Sequence, residues 1–372
     1  MFFLNFLRTR EKDTMNTIII GGVIYWKVNE QLHREDGPAI ERANGDREWY
    51  QHDKRHRLDG PAVENANGTL EWWRDGNRHR DDGPAVEHAN GTLEWYRHNK
   101  RHRLDGPAVE HANGALEWWR DGNWHRDDGP ATISADGTRF VWYTNGVMGR
   151  ADGPTIVIRR NPTVISWDSE VLDTDVELSL YWYNGSVLHR DDDMPALVVR
   201  IRLAGGNILT SSVWRINGKL HRENGPASIT TTMRPNGDVI KTSMKWCKYG
   251  YTHREDGKPA IIDNGSFIWM ECGRYHRDGD MPAVVRADGT RVYFIRGRQR
   301  RFNGGPCIIY PNGDRGMNTK SRRIPRDEWE ARSTGMAPAQ ECALRSAVAE
   351  RVNTGAHFIC PELIARIVQM TI

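Results

Sequence analysis

No apolar run in the 372-residue chain approaches the roughly 20 residues that cross a bilayer as a helix. Charge of one sign is missing too. The sequence has 52 basic and 49 acidic residues, a net charge of +3, which gives no global pull toward nucleic acid or a membrane. Cysteine is scarce and unevenly placed. The five (Cys247, Cys272, Cys307, Cys342 and Cys360) lie in the C-terminal part, are odd in number and include no C-x-x-C pair. A reduced, intracellular protein is therefore expected rather than a disulfide framework. The opening MFFLNFLRTR is apolar before it is basic, the reverse of a secretory signal, and has no cleavage site; Met15 is a second candidate start. Apolar residues make up 38% and mean hydropathy is −0.70, low for a thick-cored enzyme but high enough to exclude general disorder.

What the chain does have is tryptophan, 15 residues, and repetition. HRLDGPAVENANGTLEWW (56–73) returns as HRDDGPAVEHANGTLEWY (79–96) and HRLDGPAVEHANGALEWW (102–119). The motif's first position falls at His33, His56, His79, His102 and His125, a period of 23. It continues through Gly149, His189, His221, His253, His276 and Arg301, giving eleven copies between about residues 25 and 312, the mark of stacked supersecondary units. An aromatic residue stands seven before this position in every copy: Trp26, Trp49, Trp72, Trp95, Trp118, Trp142, Trp182, Trp214, Trp246, Trp269 and Phe294. These form the expected repeat core. A proline follows each motif, one residue later at Pro195, Pro259 and Pro282.

The insertions reveal the unit. Pro61 to Gly68 is seven residues and Gly68 to Trp72 is four, whereas Pro226 to Gly237 is eleven and Gly237 to Trp246 is nine. Both arms lengthen together, as the arms of a β-hairpin must. Asn-Gly pairs such as Asn67-Gly68 mark one turn and polar sets such as RDGN a second. The expected fold is all-β: an elongated antiparallel hairpin solenoid, two strands per copy, roughly 100 Å long at about 4.8 Å per strand. A weaker period of 46 admits a propeller of four-stranded blades, but the later spacings of 40, 32, 32, 23 and 25 do not keep copies in pairs. The domain reading is a lead segment (1–22), the array (23–315), and a linker with a C-terminal helical segment (316–372). Leu344, Val348 and Val352 line one helical stripe there, and Pro361 opens a second helix over 360–370.

The 23-residue hairpin rhythm W-x-x-x-G-x-x-H, with NG-x-x-x-W ahead of a basic-His step, resembles MORN repeats over about 290 residues. The chain lacks the Tyr-x-Gly usual after the NG turn and carries HR-x-D-G-P-A in place of Gly-x-Gly. It is similar to the divergent MORN-like class of large DNA viruses and phages. The resemblance implies an interaction or dimerisation scaffold, sometimes at membranes, and no catalysis. It also sets the location as host cytoplasm or virion.

The recurring His, Arg and Asp invite a chemical reading, but equivalent histidines two strands apart stand about 10 Å from each other, and zinc needs ligands about 2 Å from one centre. Eleven near-equal copies also lack the asymmetry of a catalytic site. No metal, cofactor, catalytic residue or small-molecule substrate is expected, and Arg-Asp pairing at the bend is. An enzymatic reading would need an asymmetric cleft, most plausibly in the insert carrying Asp168, Glu170, Asp173, Asp175 and Glu177. The residue after each core aromatic forms a second ladder: Tyr50, Trp73, Tyr96, Trp119, Tyr143 and Tyr183. These are the candidate partner-binding residues, and three readings stay open for them: an open stripe for a protein partner, a homodimer face, or packing within the chain. Charge balance around KRHR argues against a nucleic-acid groove, and membrane contact has no support beyond the resemblance. The expected function is a non-enzymatic scaffold. The alternative is a ubiquitin-ligase substrate adaptor, because CPELIARIV (360–368) is similar to the opening helix of an F-box.

Overall fold

The computed structural model describes residues 15–150, 152–160, 177–302 and 304–317. Every element among them is a β-strand. The chain divides into two compact units, Met1–Arg150 and Ala151–Ile372. The expected helices over 338–352 and 360–370 lie outside the described residues, as do Asp168, Glu170, Asp173 and Asp175; Glu177 opens the strand Glu177–Tyr181.

One copy shows how the sequence builds the unit. Pro61, with no N–H to donate, stands just ahead of the strand Val63–Glu64. Asn65 N–H donates to Thr69 O (2.9 Å) and Gly68 N–H to Asn65 O (2.8 Å), with Gly68 at φ 91°. This is a three-residue loop ending in a left-handed residue, which glycine adopts without steric cost. Leu70–Glu71 returns antiparallel, with Glu71 opposite Val63, and pairs onward with Val86–Glu87 of the next copy. The chain then leaves this ladder at Trp72 and forms a second hairpin, Trp73–Arg74 against Asn77–Arg78, round Asp75 and Gly76 with φ 50° and 78°. That is a two-residue turn of the type that matches strand twist.

The copy therefore has four short strands, not two. Trp72 is a corner rather than a strand residue: its N–H bonds Ala85 O of the next copy (2.8 Å), while its C=O accepts from His79 N–H of its own copy (3.1 Å). The tryptophan backbone thus ties the long sheet with one group and the small hairpin with the other. Small hairpins join through single backbone–backbone bonds, such as Gly76 N–H to Arg55 O (3.0 Å), supplemented by side chains, as where Asn99 accepts from Arg78 N–H (2.8 Å) and donates to Asn77 (2.9 Å).

In the first unit the long sheet runs as a meander of twelve strands from Met15–Ile20 to Arg139–Val141. It starts inside the segment read from sequence as a lead, because Met15–Ile20 pairs with Val23–Val28 over six residue pairs. In the second unit a meander of twelve strands runs from Ile156–Arg160 to Arg315–Gly316. Neither meander closes into a barrel among the described residues. The long copies lengthen both arms as expected. Leu197–Arg202 pairs with Ile208–Val213, and Ser228–Met233 with Val239–Lys245 through a register shift at Thr232/Met233.

The deepest side chains are small. Ala39, Ala62, Ala85, Ala108 and Ala131, each after a motif proline, are fully buried, and the following Ile40, Val63, Val86 and Val109 nearly so. A methyl group is all the space allows where two copies meet. Ala108→Leu is therefore expected to lower stability by about 1–3 kcal/mol through overpacking, whereas Leu104→Ser, at a side chain 73% exposed, should leave the urea midpoint within error of the wild type.

Candidate functional site

The motif residues gather around the core aromatic of their own copy. Arg57 lays its guanidinium over Trp49, 4.1 Å from the ring centroid. The same arrangement recurs in all eleven copies at 3.7–4.8 Å, from Arg34 on Trp26 to Arg277 on Trp269. The planar cation meets the negative ring face and covers it from water, an interaction of about 1 kcal/mol at such half-buried sites. Arg57 Nε donates to Asp59 (3.0 Å), and Nη1 donates to Pro61 O (3.1 Å) and to Glu64 (2.9 Å). Gly60 leaves room for this, since a Cβ there would come within 2.9 Å of the Arg57 Cζ. HR-x-D-G-P is thus a cage for one guanidinium. Where asparagine replaces the aspartate two residues after the arginine, at Asn224 and Asn303, the cage borrows a carboxylate from the preceding copy: Arg222 pairs with Asp193 (2.8 Å), and Arg301 with Asp280 (2.9 Å).

The histidines join copy to copy. In five of nine copies Nδ1 accepts the backbone N–H of the next copy's tight turn, as His125 does from Asn145 (3.1 Å) and His189 from Asn217 (3.0 Å); in two more, His56 and His102, Nδ1 meets both the turn N–H (3.2 Å) and the turn carboxylate of Asp75 or Asp121 (2.9 Å). An accepting Nδ1 leaves the proton on Nε2, which faces Asp127 from His125 (2.8 Å) and Asp191 from His189 (3.1 Å). Among the described residues no group of three or more His, Cys, Asp or Glu is placed to hold a metal ion. A cleft of about 690 Å³ opens in the second unit between the bends at 221–226 and 253–258; its walls are these same cage residues.

The core ladder differs from expectation in two ways. Trp26, Trp49, Trp72, Trp95, Trp118, Trp182, Trp246 and Trp269 are half-buried, and only Trp142 and Trp214 are buried, because the outer face is closed by arginine instead of by apolar packing. In the eleventh copy the core aromatic is Tyr293, not Phe294. Arg301 caps Tyr293 (4.3 Å), and Tyr293 N–H bonds Cys307 O as nine of the tryptophans bond the alanine of the next copy. Arg301 therefore holds the motif's arginine position and Arg300 its histidine position. The missing histidine concealed a one-residue shift.

The second ladder lies on the small hairpins. Tyr50, Trp73, Tyr96, Trp119 and Tyr143 are all half-buried in the first unit, and arginines from the adjoining strands slot between them. Arg55 lies 6.0 Å from the Tyr50 ring and 5.1 Å from Trp73; Arg78 lies 5.0 Å from Trp73 and 5.6 Å from Tyr96. Arg101 reaches Trp119 (5.2 Å), and Trp124 continues the stack between Trp119 (4.7 Å) and Tyr143 (5.0 Å). Beneath the stack runs a row of glutamates. Glu48 accepts from Arg42, the Tyr50 hydroxyl and Arg55; Glu94 accepts from the Tyr96 hydroxyl (2.8 Å) and Arg101. Glu71 accepts from Trp73 Nε1 (2.9 Å) and Glu117 from Trp119 Nε1 (2.8 Å). The polar atoms of Tyr50, Trp73, Tyr96 and Trp119 are thus engaged within the chain, and what they offer outward is ring edge. Tyr183 holds the equivalent place in the second unit, opposite Leu188, followed by Arg215, Cys247, Met270 and Phe294.

Burial pushes the Glu48 carboxyl up, but its bonds from Arg42 and Arg55 prevail and hold it below the usual glutamate range; the same balance, with Tyr96 and His88 as donors, lowers Glu94. A carboxyl lowered by folding stabilises the fold above its unfolded value and stops doing so as pH falls through its folded value. Glu94→Gln should therefore cost about 1–3 kcal/mol at neutral pH, where it leaves Arg101 poorly paired. Urea midpoints of variant and wild type should converge below the ordinary glutamate range.

Compared with models of known protein families and with curated proteins, the sequence matches none.

Proposed function

We propose that this chain is a non-enzymatic scaffold, a divergent MORN-like array, that binds a protein partner inside a cell along residues 49–143. The observation that carries the reading is a pair of apolar knobs on a stiffened surface. Leu58 and Leu104 occupy the same motif position two copies apart, each 73% exposed, while the copies between and after them place Asp81 and Asp127 there. Four strands of the long sheet separate the two leucines, about 19 Å. Single exposed leucines are ordinary; two at a fixed repeat, flanked by caged Asp59 and Asp105, make a spaced pair of anchors with a charged rim, the makeup of a protein-binding surface. The edges of Tyr50, Trp73, Tyr96, Trp119 and Tyr143 add aromatic contact on the small hairpins, and Tyr183 holds the equivalent place in the second unit. The arginine slots and glutamate row support this role by fixing the rings beforehand, which lowers the entropy lost on binding. Several modest contacts along one rigid sheet then sum to useful affinity.

The elongated, open solenoid belongs to this proposal and is tested by small-angle scattering combined with light-scattering mass. No helix among the described residues is long and apolar enough to cross a membrane.

Binding is tested by panning the full chain against a displayed random-peptide library, with single-stranded oligonucleotides and anionic phospholipid vesicles as parallel probes. Enriched peptides whose binding falls at least about tenfold in Leu58→Asp/Leu104→Asp, the loss expected of buried anchors, support the proposal. Binding of oligonucleotides or vesicles alone, or peptide binding indifferent to both leucines, overturns it. The adaptor alternative separates in the same assay. Removing residues 338–372 leaves peptide binding intact under both readings, and only the adaptor reading then requires capture of a ubiquitin-ligase component by that segment.

A further inference from the structure

The first two strands of the first unit are unlike those of the regular copies. Met15–Ile20 spans six residues, whereas the strands of the long sheet from Ile40–Glu41 to Thr132–Ile133 span two each. Val23–Val28 pairs with it on one side round Gly21 and Gly22, whose φ values of 57° and 80° make a two-residue turn. No described strand pairs with its other side. Met15, Ile19 and Ile20 are 57%, 69% and 65% exposed. Proteins blunt such edges with lysine, proline, bulges or very short strands. The stretch MNTIII has no charge, no proline and full length, and its pairing with Val23–Val28 has no register shift. In a two-residue hairpin the residues flanking the turn form a hydrogen-bonded pair and the pattern then alternates. Asn16, Ile18 and Ile20 thus turn their backbone groups to Val23–Val28, and Met15, Thr17 and Ile19 turn theirs outward.

We propose that a second copy of this chain occupies this edge, Met15–Ile20 against Met15–Ile20, antiparallel about a two-fold axis, so that one sheet runs through two molecules. The strand is complementary to itself. Two-fold antiparallel pairing brings isoleucine, methionine and threonine opposite one another and no like charges. Each copy supplies the three outward backbone donors and acceptors that the other lacks. A six-residue strand pair buries less than the roughly 1,200 Å² of a standard stable interface, so the dimer is weak and concentration-dependent. This pairing goes beyond the scaffold reading and stands or falls separately from it, since Leu58 and Leu104 take no part.

Sedimentation velocity of the full chain over a concentration series should show a monomer–dimer equilibrium. Thr17→Pro removes an outward N–H without touching the inner ladder, and should raise the dimer dissociation constant at least about tenfold while leaving the thermal midpoint of the array unchanged. Thr17→Lys should weaken the dimer similarly, because the axis places Thr17 opposite Thr17, and mixing it with Thr17→Glu should restore it. Recovery in the mixture would show that two copies of this strand face each other. A full chain that stays monomeric throughout, as when its own residues 1–14 cover the edge, would refute the proposal. So would a dimer indifferent to both Thr17→Pro and Thr17→Lys, which would place self-association elsewhere.

Discussion

Everything in this fold leans on an arginine lying flat on a tryptophan. A copy of 23 residues has too few apolar side chains to close a core around a ring of that size, and the half-buried tryptophans show it. The guanidinium supplies the missing wall. It does so without desolvation cost going uncompensated, because the same group finds a carboxylate at the bend, the carbonyl of the motif proline and a glutamate on the long sheet. The rest of the motif follows from that placement. In the regular copies glycine stands where a Cβ would strike the cation, aspartate stands two residues after the arginine, and proline starts the next strand while presenting its carbonyl.

The period, the hairpins, both turns and the Arg-Asp bend were legible in the sequence, because each has a local signature: recurrence, arms that lengthen together, Asn-Gly pairs and adjacent opposite charges. The corner at Trp72 was not. Nothing in TLEWWRDGN interrupts a strand pattern, and the break arises because the tryptophan backbone is claimed by two different partners. Two strands per copy were therefore read where four exist. The eleventh copy was misplaced by one residue for a related reason: without a histidine the phase rested on an aromatic, and Tyr293-Phe294 offers two.

For the candidate site, the aromatic rungs were legible but their surroundings were not. The signal was present all the same. Glu48, Glu71, Glu94 and Glu117 each stand two residues before a rung, a spacing that puts both side chains on one face of an extended chain, and Arg55, Arg78 and Arg101 each stand five after one. Read together, those offsets predict an aromatic stack laced with charge. Whether the ladder faces water, a partner or its own chain depends on tertiary burial, which periodicity does not encode.

The two-residue strands of the regular copies are nearly interchangeable. Val63–Glu64, Val86–Glu87 and Val109–Glu110 have the same sequence, as do Leu70–Glu71, Leu93–Glu94 and Leu116–Glu117. A folding chain that skips a whole copy and loops it out would still satisfy every rung it makes, so local energetics do not distinguish a complete array from one short by a unit. The unequal strands of the second unit leave no such freedom among themselves. A seven-residue strand such as Val239–Lys245 finds a partner of matching length in only a few places. The irregular copies thus fix their own count, whereas the regular ones are interchangeable by whole units.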